Sequence, residues 1–397
     1  MKVVKFFPLL IAFYELVTYL SNDMYLPALP QMAKDLSTTD MLAQLSLTTW
    51  FLGAVSMQLF LGPLSDRYGR RPILFGGSLI FILATVICAS TSNIFVLLIA
   101  RFFQGCAVCS VTVAGYAAIH ELYDQKAAMK AFAVMASITV LAPAFGPLVG
   151  SVMLKFGDWR NTFWLLAGLA VISLALLYKW MPESLPIEKR HPINIRVIGR
   201  NYGSILTNAG FMLNALAFCA TFAAMIAWIA MGPFLVINAF HDTPVIFGVF
   251  QALVFGSFII GTRFVKRGLE VFDTKRWLSI ALSVSVSGGL LTLIFAMIFP
   301  TQLIYFIVAL MLFSFGNAFS FSVLQRLAID STTVPMGARM AIFSSMMSAS
   351  GTVGSLLAGY FYSGATLPLA WIVFISGLVS ALLVVCVRFK SFTNRGK

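Results

Sequence analysis

The sequence predicts an all-α membrane protein with twelve transmembrane helices in two pseudo-symmetric six-helix bundles. Three observations carry that prediction. Of the 397 residues, 60% are hydrophobic and only 10% are charged, whereas a soluble domain carries about 25% charged residues. A membrane span needs ~20 mostly apolar residues, and the chain offers twelve such runs. The basic residues, finally, fall on alternate connections between those runs. Only Lys34, Lys155 and Arg160 lie on one side and Arg101 lies inside a span, so every other Lys and Arg is assigned to the opposite side. The positive-inside rule then puts both termini and the basic connections in the cytoplasm. It also accounts for the net charge of +13 without nucleic acid. The basic inner face is expected to favour anionic lipid.

The first run, about 6–29, follows Lys2 and Lys5 as a signal peptide would. It lacks a small-x-small cleavage site and is interrupted by Glu15, so it reads as a retained first helix. Its later prolines, Pro27 and Pro30, are expected to kink it. Runs follow at about 41–63, 72–92, 94–119, 129–153 and 161–181, completing an N-terminal bundle over residues 1–181. The longest polar connection, Pro182 to Asn201, falls at the midpoint, so residues 182–204 read as a cytoplasmic linker. The second bundle, 205–397, holds runs at about 205–238, 244–264, 276–299, 301–325, 338–362 and 365–388, then a short basic tail. The seventh run is too long for one straight span. Gly232-Pro233 is expected to bend it or carry it beyond the membrane surface. Internal repeats of this kind place a substrate site at their interface near the midplane.

The first run carries two acids, Glu15 and Asp23. A carboxylate at the centre of a bilayer costs roughly 2.5–3.5 kcal/mol on insertion scales, so such a residue is functional by default. At ~100° per residue, Asn22 lies about 20° from Glu15, Tyr19 about 40° and Asp23 about 80°. One polar flank therefore holds two acids, an amide and a phenol, with the acids about 12 Å apart along the axis. Desolvation disfavours the charged form of a carboxyl, which makes both acids candidates for proton exchange. Arg101 is the one basic residue deep in a span and is expected to have a partner there. Its charge would tune Asp23 or Glu15. His120 falls at the inner end of the same span.

Between the second and third runs stands Gly62-Pro-Leu-Ser-Asp66-Arg67-Tyr-Gly69-Arg70-Arg71-Pro72. Two placed glycines, Pro72 and the mixed charges fit a tight turn. Asp66 is placed to pair with a nearby Arg, and the cluster is a candidate conformational latch. Cys106-x-x-Cys109 lies in a small-residue run, where close packing explains it better than metal or redox chemistry. No metal, cofactor, nucleotide loop or catalytic triad is predicted, and the chain does not read as an enzyme.

The Gly62–Pro72 segment resembles the signature loop of the major facilitator superfamily. Arg101-Phe-Phe-Gln104-Gly105 is similar to that family's second motif. Ala142-Pro143-Ala-Phe-Gly146-Pro147-Leu-Val-Gly150 resembles the antiporter motif of its drug:proton branch. Asn22-Asp23-Met-Tyr25-Leu-Pro27-Ala-Leu-Pro30 resembles the Bcr/CflA group. Tyr14-Glu15, Thr18-Tyr19 and Gly115-Tyr116 add a likeness to MdfA-type multidrug/proton antiporters. The resemblance implies a monomeric antiporter of the bacterial inner membrane. Protons would enter as small lipophilic neutral or cationic compounds leave by alternating access. It implies that Glu15 and Asp23 exchange protons and contact substrate, that Arg101 couples protonation to conformation, and that Tyr19, Asn22, Tyr116 and Met135 line the cavity. Trp228 is expected to add an adaptable apolar wall, and Met231 stands where the family pattern suggests a polar residue. Two alternatives stay open on the same fold: a dedicated exporter of an endogenous metabolite such as a siderophore, and a proton-coupled nutrient importer.

Overall fold

The computed structural model of the protein describes residues 6–190 and 192–393, without the side chains of Lys189 and 388–393. Of the expected inner-side charges, Lys2, Lys5, Arg395 and Lys397 lie outside the described residues, and the side chains of Lys189, Arg388 and Lys390 are not described. Those residues contain no strand. Helix α1 spans Phe7–Asp23, and α2 spans Leu29–Asp35 after a 3-10 turn at Leu26–Ala28. The long helices α3 (Asp40–Tyr68), α4 (Arg70–Ser90) and α5 (Ile94–Ser110) follow. A π-helical segment at Val111–Gly115 joins α5 to α6 (Tyr116–Leu122). Then come α7 (Gln125–Met153), α8 (Arg160–Trp180), α9 (Ile195–Leu206) and α10 (Ala209–Pro233). A second π-helical segment, Phe234–Ala239, extends α10. The chain closes with α11 (Pro244–Val271), α12 (Thr274–Ile298), α13 (Leu303–Asp330), α14 (Met336–Phe361) and α15 (Leu367–Thr393).

Eleven helical stretches among the described residues are long and apolar enough to cross a membrane. The twelfth expected span is α1, with 17 residues, about 26 Å at 1.5 Å per residue. It stops short because the chain tightens at Leu26–Ala28 and resumes as α2. Proline lacks a backbone donor, so Pro27 and Pro30 turn a single long helix into two pieces with a tight joint. The same physics acts at Pro233, where α10 gives way to π winding.

The molecule divides into two compact units, Met1–Ile195 and Arg196–Lys397. The connection between the sequence-read bundles is not wholly irregular. Its end is helix α9, so the expected linker boundary at 204/205 falls inside a helix. Ile198, Tyr202 and Ile205, spaced i, i+4 and i+7, form its more buried face, while Arg196 and Arg200 are exposed. That spacing is a helical stripe, masked in the sequence by the polar residues around it.

In the first unit, α1 packs on α7 and α8, and α5 packs on α3 and α4. The α3–α5 contact is close: a Cβ on Gly105 would strike the Trp50 carbonyl. Backbone approach of this kind is how membrane helices gain contact without a hydrophobic drive between them. It brings Arg101, one turn before Gly105, against the backbone of α3. The second unit is built from α10 against α13, α14 and α15, and α13 against α11 and α12.

Candidate functional site

Helix α1 supplies both acids. Glu15 is fully buried and Asp23 is 1% exposed, so neither is a solvated surface group. The Tyr116 hydroxyl donates to Glu15 Oε1 at 2.8 Å, spanning 101 residues of sequence. The other Glu15 oxygen, Oε2, and Asp23 Oδ1 have no hydrogen-bond partner among the described residues. Such unpartnered buried atoms carry a desolvation cost of about 1–3 kcal/mol each, more when charged. Tyr116 is the first residue after the π-helical segment Val111–Gly115. The extra residue in that turn resets the register of the following helix, a device common at functional sites. Nothing in the local sequence announces it.

Arg101 is fully buried and binds mainly to backbone and amide oxygens. Its Nη1 donates to the Ser21 carbonyl at 2.9 Å and to Gln104 Oε1 at 2.8 Å. Its Nη2 donates to Asn22 Oδ1 at 3.3 Å, and Nε to the Ser46 carbonyl at 3.2 Å. The guanidinium sits 4.5 Å from the centre of the Tyr25 ring, a favourable cation–π placement. Gln104 passes the network on by donating to Thr85 at 2.7 Å. Helices α1, α3, α4 and α5 are thus tied through Arg101 and Gln104. Among the described residues Arg101 makes no ion pair within 4.0 Å, and its charge acts on Asp23 through space. Asn22 is engaged by Arg101, whereas Tyr19 is half-buried and Met135, on α7, is fully buried.

The two-proline segment lies within continuous helix: Pro143 and Pro147 both sit inside α7. Its glycines face the end of α1. A Cβ on Gly146 would come within 2.7 Å of the Asp23 Cβ, and one on Gly150 would strike the Met24 carbonyl. The acid at the end of α1 is therefore seated directly on the Pro143–Gly150 segment.

The glycine-rich turn is one residue long. Gly69 alone separates α3 from α4, with φ 101° and ψ 163°, a backbone state that L side chains rarely adopt. Arg70 donates to Asp66 at 2.6 Å and to Glu121 at 2.8 Å, and also to the Ser65 hydroxyl. Glu183 accepts from the backbone N–H of Arg70 at 2.9 Å and of Arg71 at 3.3 Å. Ser184 donates to Glu121 at 2.6 Å. Arg71 donates to the Tyr178 carbonyl. The expected pairing of Asp66 is present, but the cluster is larger than the turn. Sequence reading missed Glu121 and Glu183, which lie 51 and 113 residues away from Arg70. Their one sequence cue was position, each at the end of a span. Arg67 points away from the acids, over the Tyr68 ring. Gly62 lies inside α3, before the turn, with nothing within 4 Å of a built Cβ. His120 is exposed in the last turn of α6.

Trp228 lies in the second unit, on α10, fully buried, with its ring 6.2 Å from Phe247 of α11.

Residues 11–332 match the profile of the Major Facilitator Superfamily. The chain is 29% identical over 378 residues to the multidrug resistance protein MdtM of Salmonella typhimurium, covering 94% of this chain and 91% of that protein. It is 31% identical over 349 residues to the multidrug transporter MdfA of Escherichia coli, covering 88% and 85%. Among solved structures, a D-xylose–proton symporter superposes with a TM-score of 0.74 over 95% of this chain and 96% of its own, at 16% identity. An inward-facing bacterial homologue of the lysosomal transporter Spinster superposes with a TM-score of 0.71 at 11% identity, over 96% and 94%. These two likenesses show the fold. With its all-helical architecture, its membrane-length apolar helices and a family match over most of its length, the chain is a membrane-embedded transporter of small molecules belonging to the Major Facilitator Superfamily.

Proposed function

We propose that this transporter is a proton-coupled efflux antiporter of the bacterial inner membrane, with both termini in the cytoplasm. It exports lipophilic neutral or cationic compounds in exchange for protons. The observation that carries this reading is the pair of buried carboxyls on α1, each with one oxygen lacking a protein partner. Buried acids without ion pairs are costly to keep charged and suited to gaining and losing a proton. The names of the relatives, a multidrug resistance protein and a multidrug transporter, support drugs as the cargo.

The geometry supports the following cycle. Asp23 is the principal proton and substrate residue, and Glu15, held by Tyr116, adds charge or a hydrogen bond for some substrates. Arg101 grips the α1 backbone at Ser21 and the side chain of Asn22, so a change of charge at Asp23 is transmitted to α3 and α5. The Pro143–Gly150 segment, seated against Asp23, is the element that senses the same change. Tyr19, Asn22, Tyr116, Met135 and Trp228 contact substrate. Asp66, Arg70 and Arg71 act with Glu121 and Glu183 as a clasp at the inner end of the first unit. A substrate drives alternating access only through unequal affinity for the two states.

Proton flux in everted membrane vesicles tests the reading. With a respiratory pH gradient established, chloramphenicol, ethidium and a quaternary ammonium should each dissipate part of it. Dissipation should be lost in the Asp23→Asn protein. Silence of the wild-type protein across the panel would contradict drug:proton exchange.

A further inference from the structure

The two units bury different chemistry. Glu15, Asp23 and Arg101 are buried charges of the first unit, whereas among the described residues the second unit buries no charged side chain at all. What it buries instead is neutral and uncommitted. Gln251 on α11 is fully buried, and neither its amide nitrogen nor its carbonyl oxygen has a hydrogen-bond partner among the described residues. The Trp228 indole N–H, on α10, is fully buried and equally unpartnered. Phe247 joins them: its ring packs against Trp228 at 6.2 Å, and it lies one turn from Gln251 on the same face of α11.

This is an expensive arrangement for a purely structural core. A buried polar group left unpaired costs its desolvation, and an apolar side chain of the same shape would be as good or better for stability. Other polar side chains of the second unit bond locally, in whole or in part. Ser314 and Ser257 both donate to the Val254 carbonyl, at 2.8 and 2.7 Å, and Asn317 Oδ1 accepts from Ser285 at 3.0 Å while its Nδ2 stays unpartnered among the described residues. Gln251 keeps both a donor and an acceptor free, and Trp228 a donor, beside two aromatic faces.

We infer that Gln251 and Trp228 form a neutral recognition pair in the second unit, which hydrogen-bonds uncharged polar groups, amides and hydroxyls, of aromatic or lipophilic substrates. The inference rests on the export reading and deepens it. Neutral substrates are selected through this pair, and cations through the carboxyls of the first unit. A site with a buried amide to satisfy discriminates in favour of compounds that can pair with it.

The test compares two probes in whole-cell or vesicle export: chloramphenicol, neutral with an amide and hydroxyls, and tetraphenylphosphonium, a cation with no hydrogen-bonding group. The variants are Gln251→Leu and Gln251→Met, apolar replacements of similar size, and Trp228→Phe, which removes the indole N–H together with part of the ring. In each, the ratio of chloramphenicol to tetraphenylphosphonium export should fall about five- to tenfold, the worth of one hydrogen bond. The thermal midpoint of the Gln251 variants should hold or rise. An unchanged ratio, or an equal loss of both exports, would overturn the assignment while leaving drug export standing. Wild-type protein that exports neither probe would overturn both readings together.

Discussion

Tyr116 and Glu15 share one 2.8 Å hydrogen bond, and among the described residues that carboxyl's second oxygen has no partner. The Tyr116→Phe change removes the bond and little else, since the ring also packs on Phe132 at 5.4 Å. Export of a cationic drug should fall about three- to tenfold, with the folded protein recovered in normal yield, because a single hydrogen bond is worth about 0.5–1.5 kcal/mol net. Drug export rates normalised to purified protein check this. Arg101 is a different case. Its fork reaches four oxygens on three helices, a geometry that a lysine cannot reproduce. Arg101→Lys should therefore abolish coupling and lower the thermal midpoint, although charge is conserved. A Lys variant that transports normally would reduce Arg101 to a point charge.

At the scale of elements, the contact between α1 and α7 decides whether the acid and the two-proline helix move together. Gly150 has no room for a side chain against the Met24 carbonyl, whereas Gly168, inside α8, has nothing within 4 Å of a built Cβ. Gly150→Ala should thus separate the helices, lowering both stability and uphill transport. Gly168→Ala should be neutral or stabilise by up to ~1 kcal/mol, as alanine does in a helix interior. Thermal unfolding and export measured on the same two proteins distinguish these outcomes. The elements also show what a sequence carries and what it hides. Glu15, Asp23 and Arg101 were legible because a charge in an apolar run is conspicuous at any alignment of the helices. Glu121 and Glu183 were not, because their meaning lies in reaching Arg70 across 51 and 113 residues. The π-helical turns before Tyr116 and after Pro233 were hidden as well, since a one-residue change of winding leaves no pattern in residue types. Helix α9 had a stripe of Ile198, Tyr202 and Ile205, diluted by the polar residues of the linker. Gln251 looked like any polar residue in a span until its burial without partners was seen.

At the scale of the whole molecule, the spans and family were legible because the bilayer imposes length and apolarity on every helix that crosses it. The identity of the cargo is written in side chains whose contacts only the fold assembles. We propose above all that the α1 carboxyls convert a proton gradient into uphill drug movement. Purified protein in proteoliposomes tests it, with uphill drug accumulation under an imposed pH gradient measured beside exchange of labelled for unlabelled drug at equal concentrations. For Glu15→Gln/Asp23→Asn the account predicts loss of uphill accumulation with exchange retained for a neutral drug, since the pathway survives while the proton carriers are gone. Uphill accumulation by the double variant at the wild-type rate would contradict it.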